Sequence, residues 1–367
     1  YFSVDRVSAD PRQACDTVYH PRAVQPTLLY WQRTNDERLG RLFTAWMDTW
    51  VDAAARNERG KAAGIIPSAI HWPDGAIGGL GENWWKPENH EESGLYTWPS
   101  AMDQMLQTLL LTYHMTQNPK YLDPIKSMAR IRLEYLKHPP ETSPAPGTEA
   151  WCAARMEYLE SVVAKYRLLT GQTDLDQLLA RDASPYTAFR ITGERGPLDA
   201  ALKANSEALR INFEGYTSEV RYTDRVLRFP SLLGKNSMYP DAVPGIALPD
   251  TNLLYSTATG DPGSAGYFPL NAVRWLTPPR GLAVVVTDSG TTRFEAELFH
   301  FGQESRPMAA ELYLLAPGAY AFSVEPGNVS QPFTVSGSRT QLAFELPPRQ
   351  LCILRVARMG GLFPGSP

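Results

Sequence analysis

Three stretches of the chain follow one local plan. They read Tyr30-Trp31-Gln32-Arg33-Thr34-Asn35-Asp36-Glu37-Arg38-Leu39, Tyr113-His114-Met115-Thr116-Gln117-Asn118-Pro119-Lys120-Tyr121-Leu122 and Tyr166-Arg167-Leu168-Leu169-Thr170-Gly171-Gln172-Thr173-Asp174-Leu175. Each places an aromatic residue, then a Thr, then a small or amide residue, with an apolar residue five after the Thr. Such residues end one helix at a tight turn and cap the start of the next. Recurrence at the spacing of helix pairs predicts stacked helical hairpins. The first interval is the longer one, which fits a loop inserted at 61–97.

Apolar periodicity supports this organisation. Within 27–60, Leu39, Leu42, Phe43, Trp46, Trp50 and Val51 fall near i, i+3, i+4, i+7 spacing. Residues 99–117 predict a helix with Pro99 in its first turn and Met102, Met105, Leu106, Leu109, Leu110 and Tyr113 on its apolar face. Further helices are expected at 119–136, 148–170, 173–181 and 197–211, with Pro139, Pro140, Pro144 and Pro146 forming a stiff connection. From about 280 the period shortens, and short alternating segments separated by Gly and Pro predict an antiparallel β-sandwich of about 80 residues. The expected organisation is a helical domain at 1–229, a Pro/Gly/Asn/Ser-rich connecting wrap at 230–279, a β-sandwich at 280–357 and a tail at 358–367.

Composition removes several function classes. With 367 residues and a net charge of −4, the chain has room for a large core and no electrostatic reason to bind nucleic acid. No apolar run reaches the about 18 residues that a membrane span needs. Residue 1 is Tyr, so either a leader was removed or the chain is a fragment; a secreted, periplasmic or cell-surface setting is expected. Cys15, Cys152 and Cys352 lack CxxC spacing, which argues against zinc and leaves a Cys15–Cys152 disulfide as one option. No ligand run supports a metal, and no cofactor is expected. Asn328-Val329-Ser330 matches a short glycosylation sequon. The chain has no P-loop, GxGxxG, GxSxG or HExxH. An oligomer stays open.

The aromatic residues carry the functional signal. Trp72, Trp84, Trp85 and Trp98 fall within 27 positions among Pro, Gly and acidic residues. Long ordered loops inside compact domains are commonly functional. Flat indole faces suit the C–H faces of sugar rings, while carboxylates and imidazoles orient hydroxyls. The expected substrate-binding residues are His71, Trp72, Trp84, Trp85, Tyr96, Trp98, Arg155, Arg221 and Arg225. The same indoles would also serve as plugs between helices. Candidate catalytic groups are Asp74, Glu82, His90, Glu91, Asp103, Glu219, Tyr222 and Asp224. Read as a strand, Glu219 to Arg225 puts Arg221 and Arg225 on one face, suited to a uronate carboxylate or to an ion-pair ladder. Glu149, Trp151 and Arg155 open the expected helix at 148–170, where an acidic residue also favours the helix N-terminus.

The three junctions resemble the Tyr-x-x-Thr-Gly-Asp-x-x-Tyr-Leu turn common in (α/α)-toroid glycoside hydrolases and polysaccharide lyases. Gly64-Ile65-Ile66-Pro67, before Trp72-Pro73-Asp74-Gly75, is similar to loops that enter the toroid mouth in those enzymes. The resemblance covers roughly 27–356 and implies a toroid-like helical domain, with fewer helices than a closed ring, followed by a β-sandwich. It implies a polysaccharide or oligosaccharide substrate, with uronic-acid-containing polymers as one option. Hydrolysis would use a carboxylate pair; inversion needs the two carboxyls about 6.5–9.5 Å apart. Elimination would use a Tyr or His base with an Arg neutraliser. A non-catalytic carbohydrate-binding or extracellular structural protein is the third expectation.

Overall fold

The computed structural model describes residues 15–72, 74–78, 82–86, 98–99, 101–212, 249–263, 268–327 and 330–360. The chain is of mixed α and antiparallel β type and divides into two compact units, one of 1–182 with 266–268, the other of 183–265 with 269–367.

The first unit is mainly helical. Strand β1 (Cys15–Thr17) pairs antiparallel with β2 (Ala69–His71), with Cys15 opposite His71 and Asp16 opposite Ile70. Helices α1 (His20–Thr34) and α2 (Glu37–Ala55) form the first hairpin. Helix α3 (Met102–Thr116) leads through a 3₁₀ turn at Pro119–Leu122 into α4 (Asp123–Lys137). Short α5 (Glu149–Ala154) precedes α6 (Leu159–Thr170) and α7 (Asp176–Asp182).

Helix α3 packs against α1, α2 and α6, and its residues 104 to 112 are all buried. A helix covered all round can be apolar all round, and over residues 104 to 112 this one is, except for Gln104, Gln107, Thr108 and Thr112. Helix α2 is instead amphipathic. It buries Phe43, Met47, Trp50, Ala53 and Ala54 on one stripe and leaves the other to water. Each large side chain so buried contributes roughly 1.5–3 kcal/mol.

The recurring junction has a clear basis. Asn35, Gln117 and Gly171 adopt left-handed φ of 55°, 57° and 69°, and their N–H groups close on the carbonyls of Trp31, Tyr113 and Arg167. The preceding Thr hydroxyl donates back to the carbonyl four residues earlier: Thr34 to Tyr30, Thr116 to Thr112 and Thr170 to Tyr166. Asp36 and Asn118 then cap the next helical segment by accepting from Leu39 N and Lys120 N.

The second unit contains α8 (Pro185–Thr192), α9 (Gly196–Asn212) and α10 (Thr251–Thr259) besides its strands. Helices α8 and α10 end on the same device, Thr192-Gly193 and Thr259-Gly260, with φ of 76° and 80° at the glycines. Eight strands follow: β3 (Val273–Trp275), β4 (Leu282–Ser289), β5 (Arg293–His300), β6 (Arg306–Leu312), β7 (Gly318–Glu325), β8 (Gln331–Val335), β9 (Thr340–Leu346) and β10 (Leu351–Arg358). They form sheets of order β4-β5-β10-β7-β8 and β3-β6-β9. Alternation sends Phe294, Ala296 and Leu298 inward, where they meet Leu354, Val356, Ala310, Leu312 and Phe344 in one shared core. Outward Glu295 faces Arg355 across the strands at 2.8 Å.

Several expectations change. Helix α9, expected within the helical domain, clusters with the unit that carries the sheets, as does α8, which lies outside the expected helices. The expected wrap at 230–279 contains α10 and β3. The expected helix at 148–170 is two helices, because Arg155 leaves helical geometry at φ −105°, ψ 8°. The three cysteines are thiols, so Cys15 and Cys152 form no disulfide.

Candidate functional site

In the first unit a groove of ≈ 650 Å³ lies between one face of α2 and the β1–β2 ribbon. Helix α2 contributes Trp46, Asp48, Thr49, Asp52 and, just beyond its end, Arg56. Asp48, Asp52 and Arg56 follow i, i+4, i+8 spacing and so share the face opposite the buried Phe43-Met47-Trp50 stripe. The ribbon contributes Asp16, Ile70 and His71, and the turn after β2 contributes Trp72, Asp74 and Gly75.

The turn is held by its own backbone. His71 N donates to Ala76 O at 2.7 Å, and Gly75 N donates to His71 O at 2.9 Å. Asp74 Oδ1 accepts from Ala76 N at 3.0 Å and lies 2.8 Å from His71 Nδ1. These two donors, the Ala76 N–H first, hold the Asp74 carboxyl below its ordinary range, so it stays ionised. Beside this pair the Trp72 side chain is 50% exposed and offers an indole to the solvent.

The groove's other charges are anchored to different degrees. Asp16 accepts from Trp46 Nε1 at 2.5 Å and Trp50 Nε1 at 2.8 Å, and also pairs with His20. Asp48 meets Tyr121 OH and Lys120 Nζ, both at 2.8 Å. Arg56 Nη1 bonds Glu58 at 3.1 Å and Nη2 bonds Gly75 O at 2.8 Å, while buried Nε lies 3.2 Å from Asp52 without making a hydrogen bond. Asp52 is the most open carboxylate, 72% exposed.

Of the expected site residues, His71, Trp72 and Asp74 come together here. Trp84 and Trp98 do not serve a ligand. They are 0% and 2% exposed, so neither can offer a ring face to a sugar. Trp98 Nε1 donates to Ile66 O at 2.9 Å, and Ser68 Oγ donates to Trp84 O at 2.5 Å. With half-buried Trp85 and buried Trp151 they form a packed indole cluster, centroids 5.6–6.4 Å apart. Gly147, at φ 81°, lets the Trp85 ring press on its backbone; a Cβ there would lie 2.0 Å from the ring. Exposed Arg155 caps the cluster with its guanidinium 4.2 Å from the Trp151 ring centre. Glu82 is exposed and outside the groove lining.

Asp103 occupies the first turn of α3, where burial raises its carboxyl pKa against the Gln104 N–H. It acts electrostatically on Tyr158, whose hydroxyl is buried without a hydrogen-bond partner among the described residues. His90, Glu91, Tyr96, Glu219, Arg221, Tyr222, Asp224 and Arg225 lie outside the described residues.

Asp16, Trp46, Asp48, Thr49, Asp52 and Arg56 were not among the expected site residues. The i, i+4, i+8 run on α2 was a readable signal, since it sets charged residues opposite an apolar stripe. Asp16 had no local signal for the groove, because the two indoles it holds lie 30 and 34 residues away. Among the described residues no group of three or more His, Cys, Asp or Glu is placed to hold a metal, and no helix is long and apolar enough to cross a membrane. Comparison with protein-family models and with curated proteins gives no match to this chain.

Proposed function

We propose that the chain is a carbohydrate-active enzyme of the (α/α)-toroid type with a β-sandwich, acting outside the cytoplasm as a glycoside hydrolase on a polysaccharide. The observation that carries this reading is the half-exposed Trp72 indole beside the His71–Asp74 pair and the open Asp52 in one groove. An indole for the ring face and carboxylates for the hydroxyls are what a sugar site requires. The repeated Thr-ended helix junctions support the toroid part of the reading.

In this reading Asp74, ionised, stabilises the positive charge that develops at the anomeric carbon or activates water there, and Asp52 supplies the second carboxyl of the pair. His71 is held at Nδ1 by Asp74 and so presents its ring in a fixed orientation.

The test is hydrolysis of a polysaccharide panel, read as new reducing ends. Asp52→Asn and Asp74→Asn should each lower turnover by about 10²–10⁴-fold while circular dichroism stays unchanged. Products that absorb in the ultraviolet as unsaturated uronides would replace hydrolysis with elimination. A second reading is favoured by the burial of Asp103 in the first turn of α3, which raises its carboxyl pKa, the direction that suits a proton donor. If Asp103→Asn abolishes turnover and the groove variants do not, the chemistry belongs at the start of α3.

A further inference from the structure

Resting on the carbohydrate reading of the groove, we propose that it selects a glycan carrying protonated amines, an aminosugar oligomer, over neutral and uronate-bearing glycans. Four aspartates and one arginine line the groove. Arg56 lies 3.2 Å from Asp52 through Nε and donates from Nη1 to Glu58 and from Nη2 to Gly75 O, so a uronate carboxylate would have to compete with groups already on its guanidinium. A uronate placed there would meet four carboxylates, offset only in part by Arg56 and Lys120.

The carboxylates differ in what they can give a ligand. Asp16 is clamped by two indole N–H groups and His20 and is 28% exposed, so its role is to hold Trp46 and Trp50 in place. Asp52, Asp74 and Asp48 keep 72%, 61% and 46% of their side chains exposed. Asp52, on the helix, and Asp74, on the turn, both line the groove, with Trp72 close to Asp74 in sequence and also in the lining. A protonated amine on a sugar whose ring lies on the Trp72 indole gains these charges, and a neutral sugar gains only the stacking. Lys120, which pairs with Asp48, is an opposing cation outside the lining residues.

The test titrates the full chain with three oligosaccharides of equal length: a glucosamine oligomer, its N-acetylated counterpart and a galacturonate oligomer, at mildly acidic pH and low salt. The glucosamine oligomer should bind about five- to tenfold more tightly than the N-acetylated one, as expected of a few exposed charge contacts. Added salt should remove that advantage. The double variant Asp52→Asn/Asp74→Asn should erase the difference between the two ligands. Equal binding of the amine and N-acetyl forms, or preference for galacturonate, overturns the charge selection. If Trp72→Ala still weakens whichever ligand binds, the carbohydrate groove survives that result. If none of the three binds, or Trp72→Ala changes no affinity, the groove reading and the charge selection fall together.

Discussion

Trp72 and Trp84 lie twelve positions apart in sequence, yet one is half exposed and the other fully sealed. The difference is in how the backbone around each is held. Trp72 sits at the tip of a turn that closes on itself through His71, Gly75 and Ala76, so half of its side chain stays in water. Trp84 is drawn inward through Ser68, and its backbone lies against Gly78, where a Cβ would fall 2.2 Å from the Trp84 Cα. Trp98 is tied in turn to Ile66, itself 0% exposed. Density of tryptophan along a chain therefore signals two opposite roles, a packing wedge and a ligand platform. Backbone anchoring tells them apart.

The strongest way to break that contrast is to truncate the sealed indoles. Trp84→Ala or Trp98→Ala should destabilise the fold by about 3–5 kcal/mol, the range for aromatic-to-alanine changes in cores. Urea unfolding at constant m-value measures it. A loss under about 1 kcal/mol would show that these rings are not wedges and would restore them as ligand contacts.

Lys61 sharpens the same contrast with a charge in place of a ring. It is 0% exposed, and Nζ donates to Ala54 O and Ala62 O, both at 2.9 Å, closing the C-terminal end of α2. Burial, aided by Arg56, lowers its pKa to about 8, with Cys152 and Glu58 pulling the other way. Between about 8 and the ordinary lysine value of 10.5 the unfolded chain holds a proton that the folded chain has released. Stability therefore rises with pH across that window, by about 3 kcal/mol from this group, and is flat below it. Lys61→Met should remove the rise. The measurement is the difference in unfolding free energy between wild type and variant at several pH values; a difference that does not change with pH would mean the ammonium is solvated.

The sequence carried much of the frame and little of the site. Most helices and the seven strands beyond residue 280 follow from apolar periods, since one-sided burial writes itself into spacing. The Thr-ended junctions were legible because a left-handed cap needs Gly, Asn or a tolerant amide at one position. Helices α8 and α10 were not, being short and carrying only a few apolar residues between Pro, Gly and Thr. In the site, His71, Trp72 and Asp74 were legible as a polar-aromatic turn. Asp16 was not, because a ribbon pairing residues 15–17 with 69–71 is a long-range event that no local pattern announces. Trp84 and Trp98 were misread for the matching reason: exposure is decided by partners far along the chain, such as Ser68 and Ile66.

The smallest expected effect is also the most discriminating. Trp72→Ala removes a side chain that already spends half its surface in water, at a turn closed by backbone hydrogen bonds and by Asp74. Its unfolding free energy should stay within about 0.5 kcal/mol of wild type, as for surface changes that break no core contact, cap or buried bond. Trp84→Ala in the same segment supplies the opposite limit, measured by the same denaturation. A stability loss for Trp72→Ala approaching that of Trp84→Ala would mean that the turn leans on its indole, and any change in glycan affinity would then report a damaged fold. A silent stability change joined to weakened glycan binding leaves one physical explanation, an indole held at a groove mouth for something outside the chain to cover.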